Sequence, residues 1–145
     1  MTKIQLFYEN IQPLKTNKTF IKNQISRVIL SEKKLVGNLS VIFCSDYYLL
    51  EMNKQYLGHN YFTDVITFDF VEETVISGDI FISIDRIRDN ARLYDSPVIH
   101  ELFRVIFHGV LHLIGYNDKT TDEIKLMREK ENFYLQDVDF KGLKI

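Results

Sequence analysis

Two histidines and an aspartate in the C-terminal half have the types and spacing of metal ligands. His108 and His112 lie four positions apart, and Asp118 follows six positions later, with Gly115 midway between them. Two histidines at this spacing project from one face of a helix, so both rings reach one cation at Zn–N distances near ~2.1 Å. A glycine at 115 ends the helix, which lets the following chain fold back with a third ligand. The pattern therefore predicts one divalent ion, zinc as the first choice, held by His108, His112 and Asp118 with a fourth position left for water.

The helix that would carry this pair is apolar on nearly every side, which places it in the protein interior. Its ends are predicted from Ser96 as the capping residue, Pro97 in the first helical position and Gly115 as the left-handed stop. A row of polar side chains recurs along it at every fourth residue. These residues are His100, Arg104, His108 and His112. Without a metal they would be core side chains hydrogen-bonded to the backbone, so the row alone leaves both interpretations open.

Hydrophobic periodicity predicts the elements that must surround this helix. Strands are predicted at 4–8, 39–44, 63–70 and 75–84, and further helices at 20–29, 47–57 and 121–135, with helical spacing from 85 as well. Glu72 and Glu73 suit a hairpin that pairs the last two strands antiparallel. The predicted fold class is α+β. It is one domain of residues 1–145, with a small mixed sheet of about four strands covered by helices and a central metal-bearing helix.

Residues at the element boundaries carry further predictions. These are a turn at Gly37 and Asn38, helix N-caps at Asp46 and at Thr120 or Thr121, and a helix stop at Gly58. The last helix is predicted to be amphipathic through Ile124, Met127 and Phe133. The tail after residue 136 is predicted to be loosely held.

Length and composition restrict the class of protein. A chain of 145 residues with 46% hydrophobic residues fits one domain with one core. The longest apolar runs, 41–44 and 47–50, are far below the roughly 20 residues of a membrane span. The single cysteine, Cys44, indicates a reducing, cytoplasmic setting without disulfides. Neither membrane association nor a nucleotide cofactor is expected.

Charge is distributed unevenly along the chain. Residues 1–60 carry eight lysines and arginines against four acidic residues, whereas residues 61–145 carry ten against sixteen. A basic first third is typical of proteins with an anionic partner such as nucleic acid. Lysines that only solvate a surface helix give the same pattern, so charge alone does not decide.

The block 108–118 resembles the signature of the YbeY endoribonucleases, also described as ribosomal RNA maturation factors. That signature is His-Gly-x-Leu-His-Leu-x-Gly-Tyr-Asp-His, and this chain reads His-Gly-Val-Leu-His-Leu-Ile-Gly-Tyr-Asn-Asp. Nine of the eleven positions agree, counting the two free ones. Segments 52–56, 63–68 and 78–80 resemble the family's Leu-Asn-x-x-Tyr, Thr-Asp-Val-Leu-Ser-Phe and Gly-Asp-Ile. The resemblance covers most of the chain in order and spacing.

The resemblance implies a metal-dependent endoribonuclease, specific for single strands, that acts in ribosomal RNA maturation and ribosome quality control. Its implied partners are ribosomal RNA and ribosomal proteins. A water activated by the metal would attack the phosphodiester, and no protein nucleophile is expected.

Two positions depart from the family pattern. Asp118 stands where the family has a third histidine, which lowers the charge of the site and widens the choice of metal. Leu57 stands where the family usually carries an arginine thought to help with RNA, and leucine cannot hold a phosphate. His59 and Arg104 are the candidates for binding substrate in its place.

Other functions share parts of this pattern. A metzincin-like zinc peptidase matches every ligand and glycine position, but Gly109 occupies the slot of the general-base glutamate. A ribosome assembly factor with a structural metal would bind RNA without cutting it. Two histidines and one carboxylate also describe non-haem iron oxygenases, whose ligands usually come from strands.

Overall fold

The computed structural model describes residues 3–145, so residues 1 and 2 of the predicted domain lie outside the described part. Four strands and five helices follow one another in the predicted order. They are β1 (Ile4–Glu9), α1 (Lys18–Ser31), β2 (Leu35–Cys44), α2 (Asp46–Leu57), β3 (Val65–Asp69), β4 (Val75–Ser83), α3 (Ile84–Leu93), α4 (Val98–Ile114) and α5 (Thr121–Leu135).

The strands form one mixed sheet with the order β1-β2-β4-β3. β2 pairs in parallel with β1 and with β4, and β3 pairs antiparallel with β4. The turn between β3 and β4 contains Glu72 and Glu73, and Glu73 has a φ of 55°. The predicted α+β fold, with a four-stranded mixed sheet and a hairpin, is confirmed.

Helices cover both faces of the sheet because neighbouring residues of a strand point to opposite sides. Ile80 and Ile82 of β4 belong to the main core, which contains the buried side of α4 and of α1. Phe81, between them, packs in a second cluster with Leu49 of α2. α4 lies against the sheet and is flanked by α1, α3 and α5, which makes it the central helix of the molecule.

Several helix ends lie where the residues predict them. α4 ends at Ile114, and Gly115 has a φ of 125°. α2 ends before Gly58, which adopts a left-handed conformation with a φ of 68°. Thr120 caps α5, and its hydroxyl and the Glu123 carboxylate form a capping box.

Two predicted N-caps are wrong. Ser96 does not cap α4, because its amide donates to Ala91 O of α3 and Pro97 is the capping position, without a side-chain bond. The cap of α2 is Ser45, whose hydroxyl accepts from Tyr48 N, and not Asp46. Asp46 begins the helix, and its carboxylate accepts instead from Ser83, the last residue of β4, and from Arg86 of α3.

The predicted turn at Gly37 and Asn38 is also wrong. Both residues lie within β2, where the register with β4 shifts between Val36 and Leu39. A Cβ at Gly37 would collide with Ser77 Oγ and lie 2.8 Å from Ile76 O, so glycine is required by the close approach of β4 rather than by a turn.

The C-terminal segment is packed rather than loosely held. Val138 is buried in the main core, and the Phe140 ring stacks on His100 of α4 with centroids 4.0 Å apart. Thr16 donates a hydrogen bond to Lys144 O. Apolar residues of the tail thus find partners on α4 and beside the N-terminus of α1.

The buried side of α5 agrees with the predicted one at Met127 and differs at the other two residues. Ile124 and Phe133 are exposed, and the buried residues are Met127, Glu131 and Tyr134.

Among residues 3–145 no single helix is long and apolar enough to cross a membrane. α3 and α4 reach that length and composition only as a pair, which is bent by 119°.

Candidate metal centre

α4 and the turn that follows it bring the predicted ligands together. The helix is buried along most of its length, but His108 and His112 lie on its half-exposed side. At its end the amides of Gly115 and Tyr116 both donate to Leu111 O, which turns the chain back towards the histidines. The positive φ of Gly115 permits this turn.

The three candidate ligand atoms form a compact triangle. Asp118 Oδ2 lies 3.2 Å from His108 Nε2 and 3.3 Å from His112 Nε2. All three atoms lie within 4.8 Å of one another. Ligands about 2.05 Å from a tetrahedral ion are separated by roughly 3.3 Å, so the aspartate distances fit a zinc-sized ion. The group can hold a metal ion without a change of fold.

Glu131 of α5 determines which nitrogen of His108 faces this triangle. Its Oε2 lies 2.7 Å from His108 Nδ1, and its Oε1 accepts from Arg104 Nη1 at 3.1 Å. A proton on Nδ1 that points at the carboxylate leaves the Nε2 lone pair free for a metal. Glu131 is 3% exposed, so this bond is shielded from water.

Burial and charge act in opposite directions on the groups of the site. Burial lowers the pKa of His108, but the hydrogen bond and charge of Glu131 outweigh burial, and the pKa lies above its usual value. Burial raises the pKa of Asp64 and of Glu101, and the positive charges nearby reduce but do not cancel that effect. An acidic and partly desolvated environment of this kind favours a bound cation.

A first cavity of 320 Å³ opens on one side of the triangle. The three candidate ligands line it together with residues from α2, the following loop and β3. These further residues are Asn53, Leu57, His59, Tyr61, Thr63, Asp64, Val65, Ile66 and Thr67. His59, one of the two predicted substrate-binding residues, is exposed here beside Leu57. Its contact with RNA stays a prediction.

A second cavity of 340 Å³ lies on the other side and shares Asp64, His108 and Asp118 with the first. Arg104, the other predicted substrate-binding residue, lines this second cavity. Its guanidinium bonds Glu131 and lies 3.9 Å from Glu101. The structure therefore separates the two predicted residues into different cavities, and the contact of Arg104 with RNA also stays a prediction.

Gly109 lies where α4 crosses the sheet. A Cβ at this position would be 2.8 Å from Ile80 Cγ2 and 3.5 Å from Val65 Cγ2. Glycine at this position thus accommodates the close approach of strand side chains. A glutamate here would point into the sheet, so the position cannot supply the general base of a metzincin-like peptidase.

Sequence reasoning missed Glu131, although the sequence contains a signal for it. Met127, Glu131 and Tyr134 are spaced as one face of a helix, so the carboxylate stands on an otherwise apolar side. A charge at such a position needs a buried partner. His108 and Arg104 are those partners, 23 and 27 residues away.

Comparisons with known proteins identify relatives of this chain. The sequence profile described as Endoribonuclease YbeY matches residues 7–139. A protein named Endoribonuclease YbeY from Cytophaga hutchinsonii is 49% identical over 130 residues, which are 89% of this chain and 91% of that protein. One of the same name from Flavobacterium psychrophilum is 53% identical over 110 residues, 76% of this chain and 79% of that protein.

A solved structure has the same fold. The solution structure of TM1509 from Thermotoga maritima aligns with a TM-score of 0.64 and 28% identity, over 90% of this chain and 87% of that chain. The family resemblance seen in the sequence is thus confirmed by profile, relatives and fold. This chain belongs to the YbeY family of endoribonucleases.

Proposed function

We propose that this protein is a metal-dependent endoribonuclease that cuts single-stranded RNA, with His108, His112 and Asp118 as the ligands of one zinc ion. The observation that carries this proposal is the triangle of ligand atoms at the mouth of an open cavity. The relatives named Endoribonuclease YbeY support RNA as the substrate.

The side chains around the triangle have distinct tasks in this proposal. His108 and His112 hold the ion through Nε2, and Asp118 completes the set with a carboxylate oxygen. A divalent ion, when bound, acidifies a water ligand and offsets the charge that grows on a phosphodiester. Glu131 orients the His108 ring and Arg104 holds Glu131, which keeps the donor atoms aimed at one point.

We propose ribosomal RNA as the substrate, with ribosomal proteins as partners, in RNA maturation and ribosome quality control. The basic N-terminal third supports an RNA partner, because it places positive charge on a protein whose net charge is −2. The single buried cysteine supports action in the cytoplasm. An open cavity beside the ligands suits an unpaired strand better than a rigid duplex.

The metal part of this proposal is tested by metal analysis of purified variants. His112→Ala is expected to lose the zinc that the unchanged protein retains, because the two remaining ligands are too few to hold the ion. His100→Ala is the matched control. It removes a histidine of the same helix that stacks on Phe140, away from the ligand triangle. Equal zinc content in all three proteins contradicts the assigned ligands.

The activity is tested with single-stranded ribosomal RNA fragments. Cleavage is expected to stop with a chelator, to return with added zinc and to be absent in His112→Ala. RNA binding without cleavage in the zinc-loaded protein indicates an assembly factor with a structural metal. Turnover of a fluorogenic peptide without RNA cleavage indicates the peptidase. Recovery of cleavage with manganese but not with zinc contradicts the choice of zinc. Manganese is the alternative to test because Asp118 supplies a hard oxygen ligand.

A further inference from the structure

An aromatic pair lies exposed in the first cavity, beside the candidate metal ligands. The rings of His59 and Tyr61 are stacked with centroids 5.2 Å apart and an angle of 17° between their planes. Tyr61 Oη lies 3.0 Å from His59 Nδ1, which joins the two rings at their edges. Tyr61 is 56% exposed, so a large aromatic surface faces solvent at this point.

The loop that carries this pair is attached to buried residues. Asn53 of α2 is 1% exposed, and its side-chain amide donates to Tyr61 O at 2.9 Å. The amide of His59 donates to Asn53 O at 3.1 Å, after the left-handed turn at Gly58. One buried asparagine thus fixes the backbone at both ends of the pair.

The next residue of the loop is held from the other side. The Phe62 ring packs edge-on against Tyr47, with centroids 5.9 Å apart. The Arg86 guanidinium lies 5.4 Å from the same ring. Phe62 is therefore engaged away from the cavity, while His59 and Tyr61 remain presented to it. A pair held in this way needs little further ordering when a ligand binds.

The lining of the first cavity also limits how RNA could bind there. Among the described residues that line it, none is a lysine or an arginine. Phosphate contacts to lysine or arginine thus have no source among these lining residues, whereas aromatic faces are available. Proteins that bind single-stranded RNA stack its unpaired bases on such faces.

We propose that the His59 and Tyr61 rings form a platform that receives one unpaired base of the RNA strand next to the metal centre. This inference rests on the proposed function, because it assumes that the ligand is single-stranded RNA. It assigns a role to Tyr61, and it assigns His59 a stacking contact in place of a phosphate contact. The platform selects single strands, since a base within a duplex is not free to stack.

The test measures RNA affinity with a chelator present, so that binding is separated from metal and cleavage. The probes are an oligouridylate of about eight nucleotides, within the known range of site sizes, and a ribose-phosphate chain of equal length without bases. Tyr61→Leu is expected to weaken oligouridylate binding at least about fivefold, the lower limit for one stacked base. Its binding to the abasic chain is expected to stay unchanged.

Two matched variants complete the test. Tyr61→Phe keeps the ring and is expected to retain binding, although it loses the hydroxyl contact with His59. Phe70→Leu changes an aromatic residue of similar exposure, 61%, just beyond the opposite end of β3, and is expected to have no effect. Thermal unfolding of each variant verifies that the fold is retained.

The platform is contradicted if Tyr61→Leu binds oligouridylate as tightly as the unchanged chain, or loses equal affinity for both probes. Oligouridylate binding no tighter than abasic binding in the unchanged chain contradicts it as well. Failure of the proposed function has a different signature. In that case zinc-loaded protein leaves RNA intact, while the difference between the two probes under chelator persists.

Discussion

The two cavities that meet at the ligand triangle differ in charge. The first is lined by neutral and aromatic residues apart from the shared carboxylates and the histidines. The second contains two arginines and two buried glutamates, whose charges pair with one another around Glu131. Charge in the second cavity is thus used to hold His108 in place, while the first cavity remains accessible to a strand.

The largest expected effect comes from removal of Glu131. Glu131→Ala leaves Arg104 and His108 without their buried partner and is expected to lower the free energy of unfolding by about 2–4 kcal/mol. Zinc affinity is expected to fall about 10- to 100-fold, because the His108 ring is no longer oriented. Urea unfolding and zinc titration against a competing chelator measure both. Glu129→Ala is the control, because Glu129 is exposed on the same helix. Equal losses of stability and zinc affinity in the two variants contradict the role of Glu131 in holding His108.

A substitution of Gly109 tests the packing of α4 against β3 and β4. Gly109→Ala places a methyl group 2.8 Å from Ile80 Cγ2. Overpacking costs about 1–3 kcal/mol and the gain in helix propensity is about 1 kcal/mol, so the free energy of unfolding is expected to fall by up to about 2 kcal/mol. The shifted helix is also expected to weaken zinc binding. A more stable variant, as propensity alone predicts, contradicts the close packing.

Arg104 and His59 compare the two cavities directly. Arg104→Leu is expected to lower the free energy of unfolding by about 1–2 kcal/mol, because buried Glu131 loses a charged hydrogen bond. His59→Leu is expected to leave stability unchanged and to weaken oligouridylate binding. The two variants are compared in the same unfolding and RNA-binding assays. Weaker RNA binding by both variants would make the second cavity part of the RNA path.

Glu32 supplies a reference for a partly buried charge outside both cavities, with the smallest expected effect. Burial raises its pKa, but hydrogen bonds from Lys130 and two tyrosines outweigh burial and hold the pKa below the ordinary value of 4.5. Its contribution is therefore full above pH 4.5 and is lost as the pH falls through the lowered pKa. Glu32→Gln is expected to cost about 1 kcal/mol at pH 7. The difference from the unchanged protein is expected to vanish in acid, as measured by urea unfolding at a series of pH values.

The centre of α4 was predictable because its pattern is local. Histidine spacing and the glycine stop depend only on helix geometry and on the positive φ that Gly115 adopts. The N-terminal end was not predictable in the same way, because the amide of Ser96 completes the preceding helix. Whether a serine caps one helix or ends another depends on how two helices meet.

Contacts between distant segments account for the other differences. Glu131 contacts His108 only because α5 folds back along α4. The spacing of residues within either helix gives no information about this contact. Phe140 gives the tail a partner through its stacking on His100 of α4, a contact that the pattern within the tail does not indicate. The roles of residues that organise the site from another element thus become apparent only when the fold is known.

Helix α5 connects Asp118, the candidate ligand outside α4, to Glu131, which orients the ring of His108. Thr120, two residues after Asp118, caps α5, and Glu131 follows eleven residues later on nearly the same side after about three turns. An insertion of a single residue within that stretch would swing the glutamate about 100° away from the imidazole while the aspartate stayed put. A change of chain length between those two positions would therefore separate Glu131 from His108.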